Sequence, residues 1–455
     1  MSRFRLTSSL CAATLIATLA VQVSAQNALD LGKRSGKSKY TLGSVTGIVE
    51  LPDGRVVAAD RREPAFRLVD FAKGEVGLIG KQGDGPDDYR SAFAVYPHVG
   101  DSVMLYDAAG RKFLRVAPNG ALAGTVPFPA GLRRGPNAAD ASGALYYTVA
   151  EFDTVAKAMK PLASLRRWPA GAASDQEVSM ITTRRADQVA MKGLVPFAYR
   201  DLWAVRADGL VARVVSDTYQ VIWLRDGKEA GRTGPLPYQP IPITPAEQQA
   251  IRDSIAQQFK AMTTGGGGVA GPGTFVFGPG GGRGDVGFAG GGPVRTVMIG
   301  GGGGGGGAPV IISGGDRVAV ESARGAAGGG PPGAPPGPMT AADSQRMKDA
   351  LANMAKMADI PAENFPATKP AIPSGGNAAA MAMFDVNGML WVPRERVRGD
   401  AIPKYDIIAE GKGIVAQVKL PAGTRLLGVG KGVVYLGRTE DGSDWLERYA
   451  MPKVQ

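Results

Sequence analysis

One cysteine, Cys11, and one histidine, His98, are all that 455 residues provide of the two side chains that most often hold zinc or copper. A Cys/His metal centre of the usual kind is thereby excluded. The lone imidazole also leaves a serine–histidine–acid triad without support, and no Gly-X-Ser-X-Gly elbow is present. Long apolar runs are lacking too. The N-terminal run, residues 10–23, is interrupted by Thr14, Thr18 and Gln22 and is too short to span a bilayer. Basic residues exceed acidic ones, for a net charge of +11. They fall in scattered pairs, Arg61-Arg62, Arg133-Arg134, Arg166-Arg167 and Arg184-Arg185, with no basic stripe interleaved with aromatics, so no nucleic-acid partner is expected. Solvated loop charge is the plain reading of these pairs. The sharper one is an acidic glycan or polyanion as partner.

Glycine, by contrast, is abundant and placed with a period. Asp53-Gly54, Val99-Gly100, Ser142-Gly143, Asp208-Gly209, Asn387-Gly388 and Lys431-Gly432 each precede an apolar, strand-like run. Three of the intervals, 46, 43 and 44 residues, are nearly equal, and the other two exceed one period by insertions. Four-stranded units repeated around an axis produce this spacing. Second turns at Lys73-Gly74, Asn119-Gly120, Asp226-Gly227 and Glu410-Gly411 divide the units again. The pattern predicts an all-β, six-bladed β-propeller whose inner strands are residues 56–60, 103–107 and their equivalents. Closure of the disc predicts that blade six shares a sheet with the first strands from Tyr40 onward.

The N-terminus combines Arg3 and Arg5, the apolar run, and Val23-Ser24-Ala25 before Gln26, the pattern a signal peptidase reads. Cleavage after Ala25 would export the chain to the periplasm or beyond, without cysteine or a membrane-spanning segment and with a net charge reduced to +9 by the loss of Arg3 and Arg5. Residues 26–38 read as a flexible polar segment, residues 39–243 as blades one to four, and residues 365–455 as blades five and six. Between them, residues 244–364 form an insertion. Thr244-Pro245-Ala246-Glu247 is a capping-box start, and Ile251, Ile255, Phe259 and Met262 lie on one helical stripe. Thr340 opens a second helix with Met347, Leu351 and Met354 on one face. Of the 74 residues 265–338, 31 are glycine, which predicts a loop unable to bury enough apolar surface to offset its chain entropy.

Residues 80–89, Gly-Lys-Gln-Gly-Asp-Gly-Pro-Asp-Asp-Tyr, lack the Lys-Ser/Thr of a phosphate loop and stand where one blade hands over to the next. With residues 55–60, Arg-Val-Val-Ala-Ala-Asp, and residues 387–392, Asn-Gly-Met-Leu-Trp-Val, this segment resembles the NHL-like six-bladed propellers that many bacteria export. The resemblance covers most of residues 40–260 and 365–452. Family members commonly carry Gly-Pro-Gly-Glu where this chain has Gly85-Pro86-Asp87-Asp88. The resemblance implies architecture and an extracytoplasmic setting, and no catalytic residue carries over from it.

Two functions fit this reading. The first is a noncatalytic binding or scaffolding module that gathers a protein, glycan or small-molecule ligand at its channel face. Its candidate ligand residues are Asp60, Arg61, Asp107, Arg111, Arg394 and Arg438, charged groups at strand ends that a ring of blades would bring to one channel mouth. The other is a calcium-dependent propeller hydrolase or lactonase. No cofactor is required by the first, and oxygen-only calcium at Asp60, Asp107 and Asp385 stays open for the second. The plain reading of those aspartates is that they satisfy turn amides.

Overall fold

A computed structural model of the chain describes residues 28–132, 135–153, 158–189, 191, 194–264, 311–312, 317–318, 360–373 and 382–452. The cleavage site, the second inserted helix and nearly all of the glycine-rich segment lie outside these residues.

Six antiparallel sheets form the blades. Their first strands are Val45–Glu50, Ala92–His98, Ala138–Ala139, Leu202–Val205, Met383–Phe384 and Thr424–Gly430. Each lies against the first strand of the next blade, and the sixth lies against the first, so the ring is closed. The fold is a six-bladed β-propeller with its inserted segment between blades four and five. The strands expected to be innermost are in fact second in each sheet. Val56–Asp60 pairs with Val45–Glu50 on one side and with Ala65–Asp70 on the other, and all five of its residues are buried. Apolar content marks the strand sandwiched most deeply, which is not the one lining the channel.

The glycine turns place the blades because the backbone there demands it. Gly54 (φ +83°) and Gly388 (φ +79°) turn between first and second strands in a conformation that side chains resist. Since strands alternate in direction, these turns and the third-to-fourth turns share one face of the disc. Second-to-third hairpins and the connections between blades share the opposite face, here the loop face. Both long connections, residues 183–201 before blade four and residues 233–382 before blade five, emerge on that loop face.

Closure uses residues earlier than expected. Arg34–Lys37, within the segment read as flexible, is the outermost strand of blade six, antiparallel to Ser443–Ala450. Leu29–Asp30 adds a parallel fifth strand to blade five. From Tyr40 onward the shared pairing is one bridge, in which Leu42 and Asp444 exchange backbone hydrogen bonds of 2.8 and 2.7 Å.

Candidate functional site on the loop face

Among the six residues expected at a channel mouth, the two aspartates are turn clamps. Asp60, fully buried at the end of its strand, accepts N–H groups of Gly43 (2.7 Å), Ser44 (2.9 Å) and Arg62 (3.1 Å). Asp107 repeats this in blade two with Arg90 (3.0 Å), Ser91 (2.9 Å) and Gly110 (3.0 Å). Each carboxylate locks the chain entering its blade to that blade's own hairpin. Asp385 lies on the other face, where its oxygens take Asn387 N–H, Met389 N–H and the Trp391 indole. A calcium ion at any of the three would compete with these N–H donors. Among the described residues no three acidic, His or Cys side chains converge as a metal would require.

The four arginines stand on four separate blades, and no hydrogen bond or ion pair joins any two of the six residues. Arg61 lies over the Phe93 ring, 4.5 Å from its centroid. Arg111 lies over Phe128 and donates to Leu132 O (2.9 Å). Arg394 pairs with the fully buried Asp406 (2.6 Å), whose other oxygen accepts Gln417 Nε2 (2.9 Å). The Tyr219 hydroxyl also donates to Asp406, and burial, then that carboxylate, push its pKa well above the usual tyrosine value. Arg438 pairs with the buried Glu447 (3.3 Å) and donates to Ala422 O. Arg394 and Arg438 therefore hold the buried carboxylates of Asp406 and Glu447.

A cap built from the two long connections was not foreseen as a site. The helix Pro245–Thr264 starts where the capping pattern places it, with Glu247 N–H reaching Thr244 Oγ1 (3.2 Å). Its Ile251 and Ile255 are buried with Ile243, Ile360 and Phe365 from the same connection and Phe197 from the preceding one. Lys369, 3% exposed in its side chain, joins three parts. It meets Glu247 Oε1 on the helix (2.8 Å), Arg396 O on the blade-five hairpin (2.8 Å) and the Phe197 ring (4.8 Å). Nearby, burial raises the Glu395 carboxyl above its ordinary range.

Arg200 lies where the blade-four connection rejoins the disc. Its Nε is enclosed and has no hydrogen-bond acceptor among the described residues. Burial, and after it the charge of Arg184, push its guanidinium down to about 9. On the same excursion, Arg185 stacks on Tyr199 (4.2 Å) and is satisfied by Asp187 and Asp217. In sequence, Tyr199-Arg200-Asp201 gives no sign that Arg200 lacks a partner, because its neighbour Asp201 reads as one.

No protein-family profile matches the chain, and no curated protein matches it in sequence. Among solved structures it is similar to a DUF4221 member from Bacteroides vulgatus, at 7% identity and TM-score 0.38, with 93% of this chain and 96% of that one covered. It is also similar to the calcium-binding protein regucalcin from Agrobacterium tumefaciens, at 9% identity and TM-score 0.34, with 94% and 99% covered. The likeness to a nidogen/laminin complex, at 15% identity and TM-score 0.25, covers 41% of this chain and spans 63% of that one.

Proposed function

We propose that the chain is an exported, NHL-like propeller that acts as a noncatalytic binding module and takes its ligand on the capped sector of the loop face. The observation that carries this reading is the shared packing of two separate connections. Residues 183–201 and 233–382 leave different blades, yet Phe197 of one is buried among Ile243, Ile251, Ile255, Ile360 and Phe365 of the other. Connections that only joined blades would be short, as in the step from Ile79 to Ala92. Long loops held on a rigid ring are where binding residues gather.

The test is hydrogen exchange on the exported protein against a panel of sugars, acidic glycans and metabolites, with ligands found by thermal shift. A ligand should slow exchange in residues 194–199, 245–255 and 360–369. Protection confined to the glycine-turn face would overturn the reading. Export is checked separately by intact mass, which should place the first residue at Gln26. A mature chain that keeps residues 1–25 would exclude that route.

A further inference from the structure

Thr182, the last residue of blade three, and Asp201, the first before blade four, are joined twice. Asp201 N–H donates to Thr182 O, and Thr182 N–H to Asp201 Oδ2, both at 2.9 Å. The excursion therefore returns to where it left, and Arg184 and Arg200 flank its base. Asp201 is the carboxylate next to Arg200 in sequence, and its oxygens are engaged elsewhere. Oδ2 takes Thr182 N–H and Arg213 Nε (2.8 Å), and Oδ1 takes Ser216 N–H (3.2 Å).

Four arginines of this face stand in contrast. Arg213, Arg394, Arg425 and Arg438 each reach a buried carboxylate of their own blade. Arg200 reaches no carboxylate among the described residues, and its Nε has no acceptor. A guanidinium nitrogen enclosed without an acceptor is unfavourable unless a partner joins it, and a second cation nearby favours an anion as that partner. Its planar fork matches an oxyanion better than any neutral group.

We infer that the base of the cap is an oxyanion site, in which Arg200, with Arg184 beside it, receives a carboxylate, phosphate or sulfate group of the ligand. This rests on the capped-face reading and gives its ligand a chemical class. The net charge, +11 for the whole chain and +9 without Arg3 and Arg5, favours arrival of such ligands on the protein as a whole.

The experiment uses the exported chain with inorganic phosphate, sulfate, citrate and a galacturonate oligosaccharide, each against sodium chloride at equal ionic strength, read by thermal shift and calorimetry. At least one oxyanion should stabilise the wild type beyond the chloride control. A free ion and an acidic glycan are distinguished by which arm responds. Arg200→Met, which keeps the apolar stem, should weaken that binding at least tenfold, while Arg200→Lys, which keeps charge but loses the fork, should fall between. Without ligand, Arg200→Met should melt no earlier than the wild type, since it removes an unpaired cation next to Arg184. The proposal is overturned if no oxyanion binds, if Arg200→Met binds as the wild type does, or if it melts early. A neutral ligand protecting the cap while every oxyanion fails would overturn the anion class and leave the capped-face reading standing. Oxyanion protection on the glycine-turn face would overturn both.

Discussion

The Lys369 ammonium lies 2.8 Å from Glu247 Oε1, and through its second bond, to Arg396 O (2.8 Å), it fastens the first turn of the inserted helix to the blade-five hairpin. Both side chains are nearly excluded from water, so removing one partner leaves the other charge uncompensated, a loss of about 3–5 kcal/mol. The loss should be local, because the cap shares its small apolar cluster with no part of blades one and two. In Lys369→Met, amides of residues 245–255 and 360–369 should exchange roughly a hundredfold or more faster, with residues 45–126 unchanged. Uniform acceleration through the disc would show that cap and ring unfold together.

The clamp aspartates give the opposite signature. Asp60→Ala strands the buried N–H of Gly43 and the part-buried N–H groups of Ser44 and Arg62, at about 1 kcal/mol for each. The whole domain should then lose on the order of 3 kcal/mol in urea titration, and Asp107→Ala should behave alike. Arg61→Ala beside it should stay within about 1 kcal/mol, since Arg61 holds no carboxylate. Equal losses from Asp60→Ala and Arg61→Ala would contradict the assignment of Asp60 as the clamp.

What the sequence disclosed follows from what its residues are forced to do. Gly54 and Gly388 were legible because a positive φ selects glycine wherever the turn recurs. Val56–Asp60 was legible as a strand but misplaced within its blade, since burial on both faces gives the second strand the stronger apolar signal. Arg34–Lys37, reading Arg-Ser-Gly-Lys, carries no apolar pattern at all, because an outer strand is held by its backbone. Arg200 escaped notice for a related reason. Whether an arginine is paired depends on which carboxylates the fold has already engaged, and Asp201 is engaged by Thr182, Arg213 and Ser216.

One pair in blade three should contribute measurably to acid stability. The Arg166 fork, at 2.5 and 2.9 Å, holds the Asp175 carboxyl down at about 2, below its ordinary 3.8. A carboxyl lowered by folding contributes stability that is complete above its unfolded value and is lost as pH falls through the folded one. Between pH 5 and pH 2 the stability advantage of wild type over Asp175→Asn should therefore shrink by on the order of 1–2 kcal/mol. A gap that is constant across that range, in urea midpoints taken at each pH, would remove Asp175 from the account.

Ring closure is tested by the N-terminal strand. Arg34 donates to Glu447 (2.9 Å) across 413 residues of chain, and the strand's ends are tied by Gly32 N–H to Ala450 O (3.0 Å), Ala450 N–H to Lys33 O (3.1 Å) and Ser38 N–H to Leu446 O (2.8 Å). Deleting residues 28–38 would expose the edge of Ser443–Ala450 and leave Glu447 with Arg438 as its remaining arginine partner. At about 1 kcal/mol for each of these bonds, and with the ladder of Arg34–Lys37 and the pairing of Leu29–Asp30 lost besides, the deletion should cost at least about 3 kcal/mol. It should act on the whole ring, because blade six touches blades one and five. A single cooperative transition at lower urea, seen alike by tryptophan fluorescence and circular dichroism, is the expected outcome. A truncated chain that melts with the wild type would show that the Leu42–Asp444 bridge alone closes the disc.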